Sequence, residues 1–535
     1  MKLGAAGMAS SAWGGCFSSP KPIPGKILGA SVKVGHLLRS GSFPIPEEIG
    51  EKSVVIVGGG IAGLSAGWKL QKAGFTDFTL LELENEVGGN SQSGGNDYSA
   101  YPWGAHYLPI PNPESAYVRE LLEDLHLIEG YDSNHLPIYD EYSLCHPPQD
   151  RLFIHGRWQD GIEPKSSLSA EDKLQFERFW KIVDRFKKAK GSDGKRAFAI
   201  PLVLSSRDQR FLALDKMSAA QFLSAEQLNS KYLIWYLNYC CKDDYGATIE
   251  TVSAWAAIHY FASRIGVGAN AGPQSVLTWP EGNGHLVEAL RAKISPHIHT
   301  GSLVYSIDSQ PDFSHVDFFD LATQRSFRIR AQNVIFAAPR FIAQQTIPKL
   351  PRIQGGKYSP WMIANITLKQ LPAEIMDSFS WDNVIYESES LGYVVATHQR
   401  LDRLLRGTVL TYYCPLVDPD ISKSRKMLLE RTHEEWVDLI LKDLQRPHPS
   451  IRQYIENIDL WRWGHGMIIP TPGYIWGETQ QDRLRTFQKI HFAHSDMSGI
   501  SIFEEAQYHG VQAAESILRN LKTTHHTQNA YEFPI

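Results

Sequence analysis

The sequence is poor in cysteine and has no long apolar run. Its 535 residues include five cysteines, none in a Cys-x-x-Cys pair, so neither a structural zinc site nor a disulfide framework is expected. No stretch approaches the ~18 apolar residues of a membrane-spanning helix. The net charge of −5 lacks the basic excess of nucleic-acid-binding proteins. What remains is an ordinary globular chain that is too long for one core, and two domains are expected.

A glycine-rich turn lies between a predicted buried strand and a predicted helix. Residues Val54 to Val57 form a short apolar run that suits a strand covered on both faces. Ile61 to Ala73 is predicted to be helical. A second strand, Phe78 to Leu81, ends on Glu82, which lies 82 − 58 = 24 positions after the first glycine. The turn has GxGxxG spacing, and its glycines are Gly58, Gly60 and Gly63. This is the full context of a dinucleotide-binding motif.

Each residue of the motif has a physical task. Gly58 allows the tight turn, Gly60 lets the backbone approach a pyrophosphate, and Gly63 lets the helix pack against the sheet. The helix N-terminus, with Ile61 and Ala62, offers free N–H groups to the phosphates. Glu82 can accept hydrogen bonds from a ribose diol. The alternative is a glycine turn in an unrelated α/β unit.

A second glycine pair indicates which dinucleotide the motif binds. Gly88 and Gly89, followed by Asn90, resemble the double-glycine extension of the FAD-dependent amine oxidase and phytoene desaturase superfamily. The resemblance implies FAD rather than NAD. In that superfamily an arginine usually stands where this chain has Asn90, so one cationic contact with the pyrophosphate is missing. Because the cysteine that binds flavin covalently in some amine oxidases has no counterpart here, we expect noncovalent FAD.

Further segments resemble the same superfamily and imply roles for single residues. Gly104 and Ala105 match small residues beside the flavin ring. Val304 follows a turn and helix at Trp279 to Lys293 and would contact the adenine through its backbone. Asp496 would bind the ribityl chain, ahead of a helix from about Ser501 whose N-terminus faces the flavin.

Two residues are candidates for the substrate cavity. His106 follows the small residues beside the flavin ring, and its alternative is a hydrogen-bonded structural histidine. Trp463 is the predicted cavity wall, and its alternative is a core tryptophan beside a turn. No residue is predicted to be the catalytic acid or base, because oxidation of a neutral amine needs none.

The first residues resemble a truncated export signal. A single lysine, a weakly apolar run and Cys16 are similar to a twin-arginine or lipoprotein leader, although the arginine pair is absent. Export to the periplasm, or lipid anchoring through Cys16, is one interpretation, and a disordered N-terminus of a cytoplasmic protein is the other. Ser18 to Pro46 is rich in proline, glycine and serine and is predicted to be a linker.

The predicted fold is α/β, with a Rossmann-like GxGxxG FAD-binding domain and a discontinuous α+β substrate domain. The predicted order is a possible signal and linker (1–48), the FAD-binding domain (49–110, 274–345 and 472–520), the substrate domain (111–273 and 346–471) and a polar tail (521–535). Long helices are predicted at Ser218 to Leu237 and Arg425 to Gln445, and a capping box at Ser169.

The predicted activity is FAD-dependent oxidation of a small molecule, by hydride transfer from an amine to the flavin N5. Oxygen or a quinone would reoxidise the flavin, and no nucleic-acid or transmembrane partner is expected. Two alternatives stay open. One is a carotenoid-type desaturase or isomerase of the same fold. The other is a non-redox binder that resembles the prenyl-GTPase escort proteins of this fold.

Overall fold

Two large sheets organise the chain. The computed structural model describes residues 21–353, 355–371, 380–400 and 407–529. The suspected export signal and Cys16 therefore lie outside the described residues. Within the described residues no helix is long and apolar enough to cross a membrane.

The first sheet contains the GxGxxG strand at its centre. The parallel neighbours of that strand, Glu47–Val57, are Phe78–Leu81 on one side and Arg325–Phe336 on the other. The apolar run predicted to be covered on both faces is buried throughout. In spatial order the strands are Ile298–His299, Phe78–Leu81, Glu47–Val57, Arg325–Phe336, Ser314–Asp320 and Ser302–Ser309, and Ile490–Phe492 also pairs with Arg325–Phe336.

Three helices pack together beside this sheet. The helix Ile61–Lys72 opens at the glycine turn and contacts both Gly284–Ile294 and Phe503–Asn529. Their buried apolar side chains form one core with the inner face of the sheet. The predicted strands and the helix of the motif are therefore confirmed. The helix and the second strand lie within one residue of their predicted ends, whereas the first strand begins at Glu47, seven residues before the predicted Val54.

The second sheet has eight strands and carries most of the remaining chain. In spatial order they are Ile27–Gly29, Ile455–Ile469, Lys357–Leu368, Thr408–Pro415, Gly392–Val395, Asp382–Ile385, Asp150–Ile154 and Arg157–Asp160. Among the helices, Lys231–Tyr245 and Ile421–Glu430 contact this sheet. The described residues also contain the helices Ala116–Asp124, Ala170–Lys188, Gln209–Leu212, Ala219–Ala225, Ala254–Ala262, Arg340–Thr346, His433–Leu444 and Gln480–Leu484. Short strand pairs join Tyr107–Pro109 to Val276–Thr278, Ser93–Gly95 to Ala100–Pro102 and Ile128–Tyr131 to Pro137–Tyr139.

Each of the two predicted long helices is divided into two helices in the structure, so neither prediction of one continuous helix is right. The first divides into Ala219–Ala225 and Lys231–Tyr245, because the Gln175 side chain accepts the N–H groups of Asn229 and Ser230. The second divides at Thr432, which forms a capping box with Glu435 and starts a new helix. The predicted capping box at Ser169 is confirmed.

The predictions for the two ends of the chain also need correction. The predicted linker contains the strand Ile27–Gly29 and the short helices Val32–Gly35 and Leu37–Ser40. The predicted C-terminal tail is helical through Asn529. In both segments the composition alone predicts no regular structure. The N-terminal segment is ordered by tertiary contacts, and the C-terminal segment continues the adjoining helix.

Candidate functional site

An elongated cavity of about 1600 Å³ runs along the carboxyl ends of the central strands of the first sheet. We call it the dinucleotide cavity. Most residues predicted to bind the cofactor line it, namely Gly58, Gly60, Ile61, Ala62, Glu82, Gly88, Gly89, Asn90, Ala105 and Val304. Its position outside the strand ends, at the N-terminus of the first helix, is where open α/β sheets bind ligands.

The glycine turn leaves room on one side and is closed on the other. A Cβ at Gly60 would meet no atom within 4 Å, so the backbone is open to the cavity. A Cβ at Gly63 would overlap the carbonyl oxygen of Gly58, which lies under the helix. Gly58 itself has a φ of +103°, a conformation that favours glycine. The turn thus has the form that a pyrophosphate requires.

The Glu82 carboxylate is held at the edge of the dinucleotide cavity by two backbone groups. Its oxygens accept the Gly59 N–H at 2.5 Å and the Glu84 N–H at 2.8 Å. Burial raises the pKa of this carboxyl, although the two hydrogen bonds oppose the shift. Glu82 therefore fixes the glycine turn as well as lining the space where a ribose would lie.

The second glycine pair continues the same wall. Gly88 donates its N–H to the carbonyl of Gly59 at 2.8 Å, and Asn90 accepts the N–H of Ala105 at 2.8 Å. The Asn90 side chain donates to the carbonyl of Gly466. Its amide therefore links the two halves of the wall and brings no positive charge. Gly104 packs on the Asn90 carbonyl and faces a neighbouring cavity instead.

Asp496, which is predicted to bind the ribityl chain, lies beside the dinucleotide cavity but is not in its lining. One oxygen accepts the Tyr358 hydroxyl at 2.5 Å and the Arg340 N–H at 2.7 Å, and the other lies 3.1 Å from His494. Burial raises its pKa, but these partners outweigh burial and lower it to about 2. The residues that do line the cavity here are His494 and Ser495. The short helical turn at this point carries the carboxylate into the protein.

A second cavity, of about 850 Å³, adjoins the first. We call it the substrate cavity. The two cavities share the residues Asn90, Ala105, Asn283, Trp463, Gly466, Ser501, Ile502 and Phe503. Aromatic side chains line the substrate cavity, among them Tyr107, Trp361 and Tyr413. The Tyr413 hydroxyl donates to the carbonyl of Gly104 at 3.0 Å, which fixes one wall.

Acidic side chains stand in the wall of the substrate cavity. Its described lining includes three carboxylates, Asp243, Asp244 and Glu504, and one cation, Arg264. Arg264 lies 3.4 Å from Asp244. Burial disfavours its charge, but Asp244 and the other acids outweigh burial and raise its pKa. The cluster therefore has more negative than positive groups, and it favours a positively charged ligand.

Asp243 is poised to change protonation near neutral pH. Burial and the neighbouring Asp244 raise its pKa to about 7, while Arg264 and a hydrogen bond from Tyr107 oppose the shift. Burial also raises the pKa values of Asp244 and Glu504. Burial and mutual repulsion therefore make it unfavourable for all three carboxyl groups to be ionised. A cation bound in the cavity would stabilise their ionised forms.

The two cavity candidates from the sequence both line the substrate cavity. The His106 ring lies 4.6 Å from the ring of Tyr413, and burial lowers its pKa to about 4, so it is neutral at physiological pH. Trp463 donates its indole N–H to the carbonyl of Trp103 at 2.6 Å and lines both cavities. Its indole thus stands at the junction where a flavin ring and a substrate would meet.

Comparison with known proteins agrees with this architecture. The family model for the NAD(P)-binding Rossmann-like domain matches residues 56–125. The chain is 23% identical over 303 residues to oxidoreductase PigB of Serratia sp., a match that covers 52% of this chain and 42% of that protein. It is 30% identical over 101 residues to polyamine oxidase 7 of Oryza sativa subsp. japonica, covering 18% of this chain and 21% of that protein. The matches span less than half of either relative.

Solved structures match over much more of the chain. Cyclohexylamine oxidase from Brevibacterium oxydans aligns with a TM-score of 0.64 at 16% identity, over 88% of this chain and 100% of that one. Putrescine oxidase bound to putrescine aligns with a TM-score of 0.60 at 15% identity, over 88% and 100%. A fatty acid isomerase from P. acnes aligns with a TM-score of 0.59 at 14% identity, over 87% and 98%.

The chain has the fold of the FAD-dependent amine oxidase superfamily. The predicted α/β fold with a Rossmann-like nucleotide-binding unit is thereby confirmed. At 14–16% identity, the structural matches show the fold of the chain. They leave its substrate open, because these structures act on amines in some cases and on a fatty acid in another.

Sequence reasoning missed the acidic cluster for an identifiable reason. The predicted helix ended at Leu237, whereas the helix Lys231–Tyr245 extends over Asp243 and Asp244. Two adjacent aspartates at the end of an otherwise apolar helix were the available signal. Arg264, just beyond the helix Ala254–Ala262, gave no signal, because only the fold brings it to Asp244.

Proposed function

We propose that this protein is an FAD-dependent oxidoreductase that oxidises an amine carrying positive charge at neutral pH. The observation that supports an amine most directly is the acidic cluster in the substrate cavity, Asp243, Asp244 and Glu504 with one offsetting cation, Arg264. An ammonium group placed there would supply the missing positive charge. A purely apolar substrate would leave these groups buried and uncompensated, which is costly.

In this proposal FAD is held without a covalent bond. The glycine turn with Ile61 and Ala62 would hold the pyrophosphate, Glu82 would accept hydrogen bonds from a ribose, and Val304 would contact the adenine. Gly88, Gly89, Asn90 and Ala105 form the wall toward the flavin. None of the four described cysteines, Cys145, Cys240, Cys241 and Cys414, lines either cavity. We retain the predicted division into an FAD-binding and a substrate domain as part of the proposal.

When bound, FAD supplies the acceptor for the hydride that leaves the carbon next to the amine nitrogen. The protein prepares the substrate for that step. The ammonium group binds among the carboxylates, and Asp243 takes one of its protons, which leaves a neutral amine and a protonated Asp243. A carboxyl whose pKa is about 7 suits this exchange, because proton acceptors work best near the operating pH. The aromatic walls limit the entry of water.

The desaturase or isomerase alternative needs a long apolar tunnel. The substrate cavity is instead aromatic on one wall and acidic on another, which favours the amine. The escort alternative needs no flavin, whereas the open side of Gly60 and the fixed Glu82 suit a dinucleotide. Oxygen or a quinone remains the proposed final electron acceptor.

The test is to purify the protein, record its visible spectrum and add a panel of primary and secondary amines without oxygen. We expect a flavin spectrum that bleaches with at least one amine. A flavin spectrum that no amine bleaches contradicts an amine substrate and favours the hydrocarbon alternative. A colourless protein that cannot be reconstituted with FAD contradicts the proposal as a whole.

A further inference from the structure

Residues 27–40 cross the mouth of the dinucleotide cavity, although the sequence predicts a linker here. The segment consists of the strand Ile27–Gly29 and the short helices Val32–Gly35 and Leu37–Ser40. Ala30, Gly35 and Leu38 line the cavity itself. We call residues 27–40 the strap.

One end of the strap is joined to the eight-stranded sheet. Its strand pairs in parallel with Leu460 to Arg462. Just before the strand, the carbonyls of Pro24 and Lys26 accept the N–H groups of Ile458 and Leu460 at 2.9 and 2.8 Å. The fit is tight at Gly25, because a Cβ there would overlap the carbonyl oxygen of Ile458. This end is therefore anchored on the substrate side of the molecule.

The middle of the strap is joined to the loop that follows the strand Phe78–Leu81 of the other sheet. Ser31 donates its N–H and its hydroxyl to the two oxygens of the Glu84 carboxylate, at 2.8 and 2.7 Å. Glu84 lies two residues beyond Glu82 and also lines the dinucleotide cavity. The strap thus bridges the two sheets directly over the space assigned to FAD, with small and apolar residues turned toward it.

We propose that the strap closes the dinucleotide cavity and sets the rate at which FAD leaves. The inference rests on the proposed FAD site and adds an element to it. FAD can then enter or leave only when the two hydrogen bonds from Ser31 to Glu84 break. The strand Ile27–Gly29 stays paired with the sheet and returns the strap to its closed position. Residues that cover a bound ligand slow its dissociation more than its association.

The experiment measures the FAD dissociation rate of the full-length holoprotein by dilution and flavin fluorescence. Ser31→Ala removes one of the two hydrogen bonds to a charged group and is expected to raise the rate about tenfold. Gly25→Ala forces the strap from the sheet and is expected to raise it further. Gly130→Ala, at a glycine with no atom within 4 Å of a Cβ, is the matched control and should leave the rate unchanged.

The possible outcomes distinguish a failure of the strap proposal from a failure of the FAD proposal. If Ser31→Ala folds and releases FAD as slowly as the wild type, the proposed role of the strap is wrong, and the proposal that the protein binds FAD still stands. If Gly25→Ala fails to fold, Ser31→Ala alone decides, because its side chain is small and half-buried. Wild-type protein that takes up no FAD contradicts the proposed function instead.

Discussion

Asp243 is the single residue on which the proposed amine chemistry depends most. It lines the substrate cavity, accepts a hydrogen bond from Tyr107 and has a pKa raised to about 7. Its ionised form can both attract an ammonium group and take its proton. The neighbouring Asp244 is already paired with Arg264, so it has less capacity for either task.

Replacing Asp243 by asparagine is expected to lower kcat/KM for a cationic amine about 100-fold, the size of effect typical of a lost proton acceptor. In the wild type, kcat/KM should fall as the pH falls through about 7, because Asp243 becomes protonated there. Steady-state rates between pH 5 and 9 check both effects, and the variant should lose this limb of the profile. Asp438→Asn, at an exposed helical aspartate, is the control. An unchanged kcat/KM in Asp243→Asn would remove Asp243 from the mechanism.

The same residue predicts a pH dependence of stability. Its folded pKa of about 7 lies above the ordinary value of 3.8, so between these values the folded state binds more protons than the unfolded state. Stability from this group is therefore present at low pH and is lost as the pH rises from about 4 to 7. Thermal melts of the apoprotein should show that Asp243→Asn melts above the wild type at pH 8 and level with it at pH 4. Equal melting temperatures at pH 8 would show that burial does not raise this pKa.

Glu82 is expected to matter for FAD affinity in two ways, through the ribose and through the Gly59 N–H that it holds. Glu82→Ala should weaken FAD binding about 10- to 100-fold, since hydrogen bonds to a charged group contribute about 1.5–3 kcal/mol. Titration of apoprotein with FAD, followed by flavin fluorescence, measures it. Glu177→Ala, at an exposed glutamate, serves as the control. FAD bound equally well by the Glu82 variant would contradict the assignment.

Among the elements, the glycine turn and its helix allow two alanine variants with opposite expected effects, one on FAD affinity and one on stability. Gly60→Ala places a methyl group in open space, so we expect an unchanged melting temperature of the apoprotein and FAD affinity at least about tenfold weaker, or 1.4 kcal/mol. Gly63→Ala places it against the Gly58 carbonyl and should destabilise the apoprotein by about 1–3 kcal/mol. Melts and FAD titrations of the two variants check the pair. If Gly60→Ala binds FAD normally, no pyrophosphate lies over this turn.

The elements also show which parts of the structure the sequence predicts. The strand, turn and helix of the GxGxxG unit are local features, set by an apolar run and glycine spacing, and they were predicted closely except for the strand's start, which lies at Glu47 rather than Val54. The two divided helices were not, because their breaks depend on the distant Gln175 side chain and on the Thr432 cap. The role of Asp496 stays a prediction, because His494 and Ser495 line the dinucleotide cavity beside it.

Across the entire chain, the sequence predicted many residues that line the dinucleotide cavity but only His106 and Trp463 as walls of the substrate cavity. Eleven residues that line the dinucleotide cavity belong to one contiguous segment, from Gly58 to Asn90, whose motif is visible in the sequence. The acidic cluster combines Asp243 and Asp244 with Arg264 and Glu504, which only the tertiary fold brings together. The strap was missed because its strand is stabilised by pairing with residues more than 400 positions away.

These features combine into one account of the molecule. A Rossmann-like unit presents a dinucleotide cavity, a second sheet closes an aromatic and acidic substrate cavity beside it, and a strap from the N-terminal side covers the first cavity. The fold is shared with amine oxidases and with a fatty acid isomerase. The cavity wall, rather than the fold, therefore decides between the two kinds of substrate.

The anaerobic spectrum with added amines is the most direct measurement of this account. The account predicts a protein with bound FAD whose visible flavin absorbance bleaches when a cationic amine is added and returns when oxygen or a quinone is admitted. The same protein with Asp243→Asn should bleach about 100-fold more slowly. A flavin that stays oxidised with every amine, or a protein that binds no FAD, would contradict it.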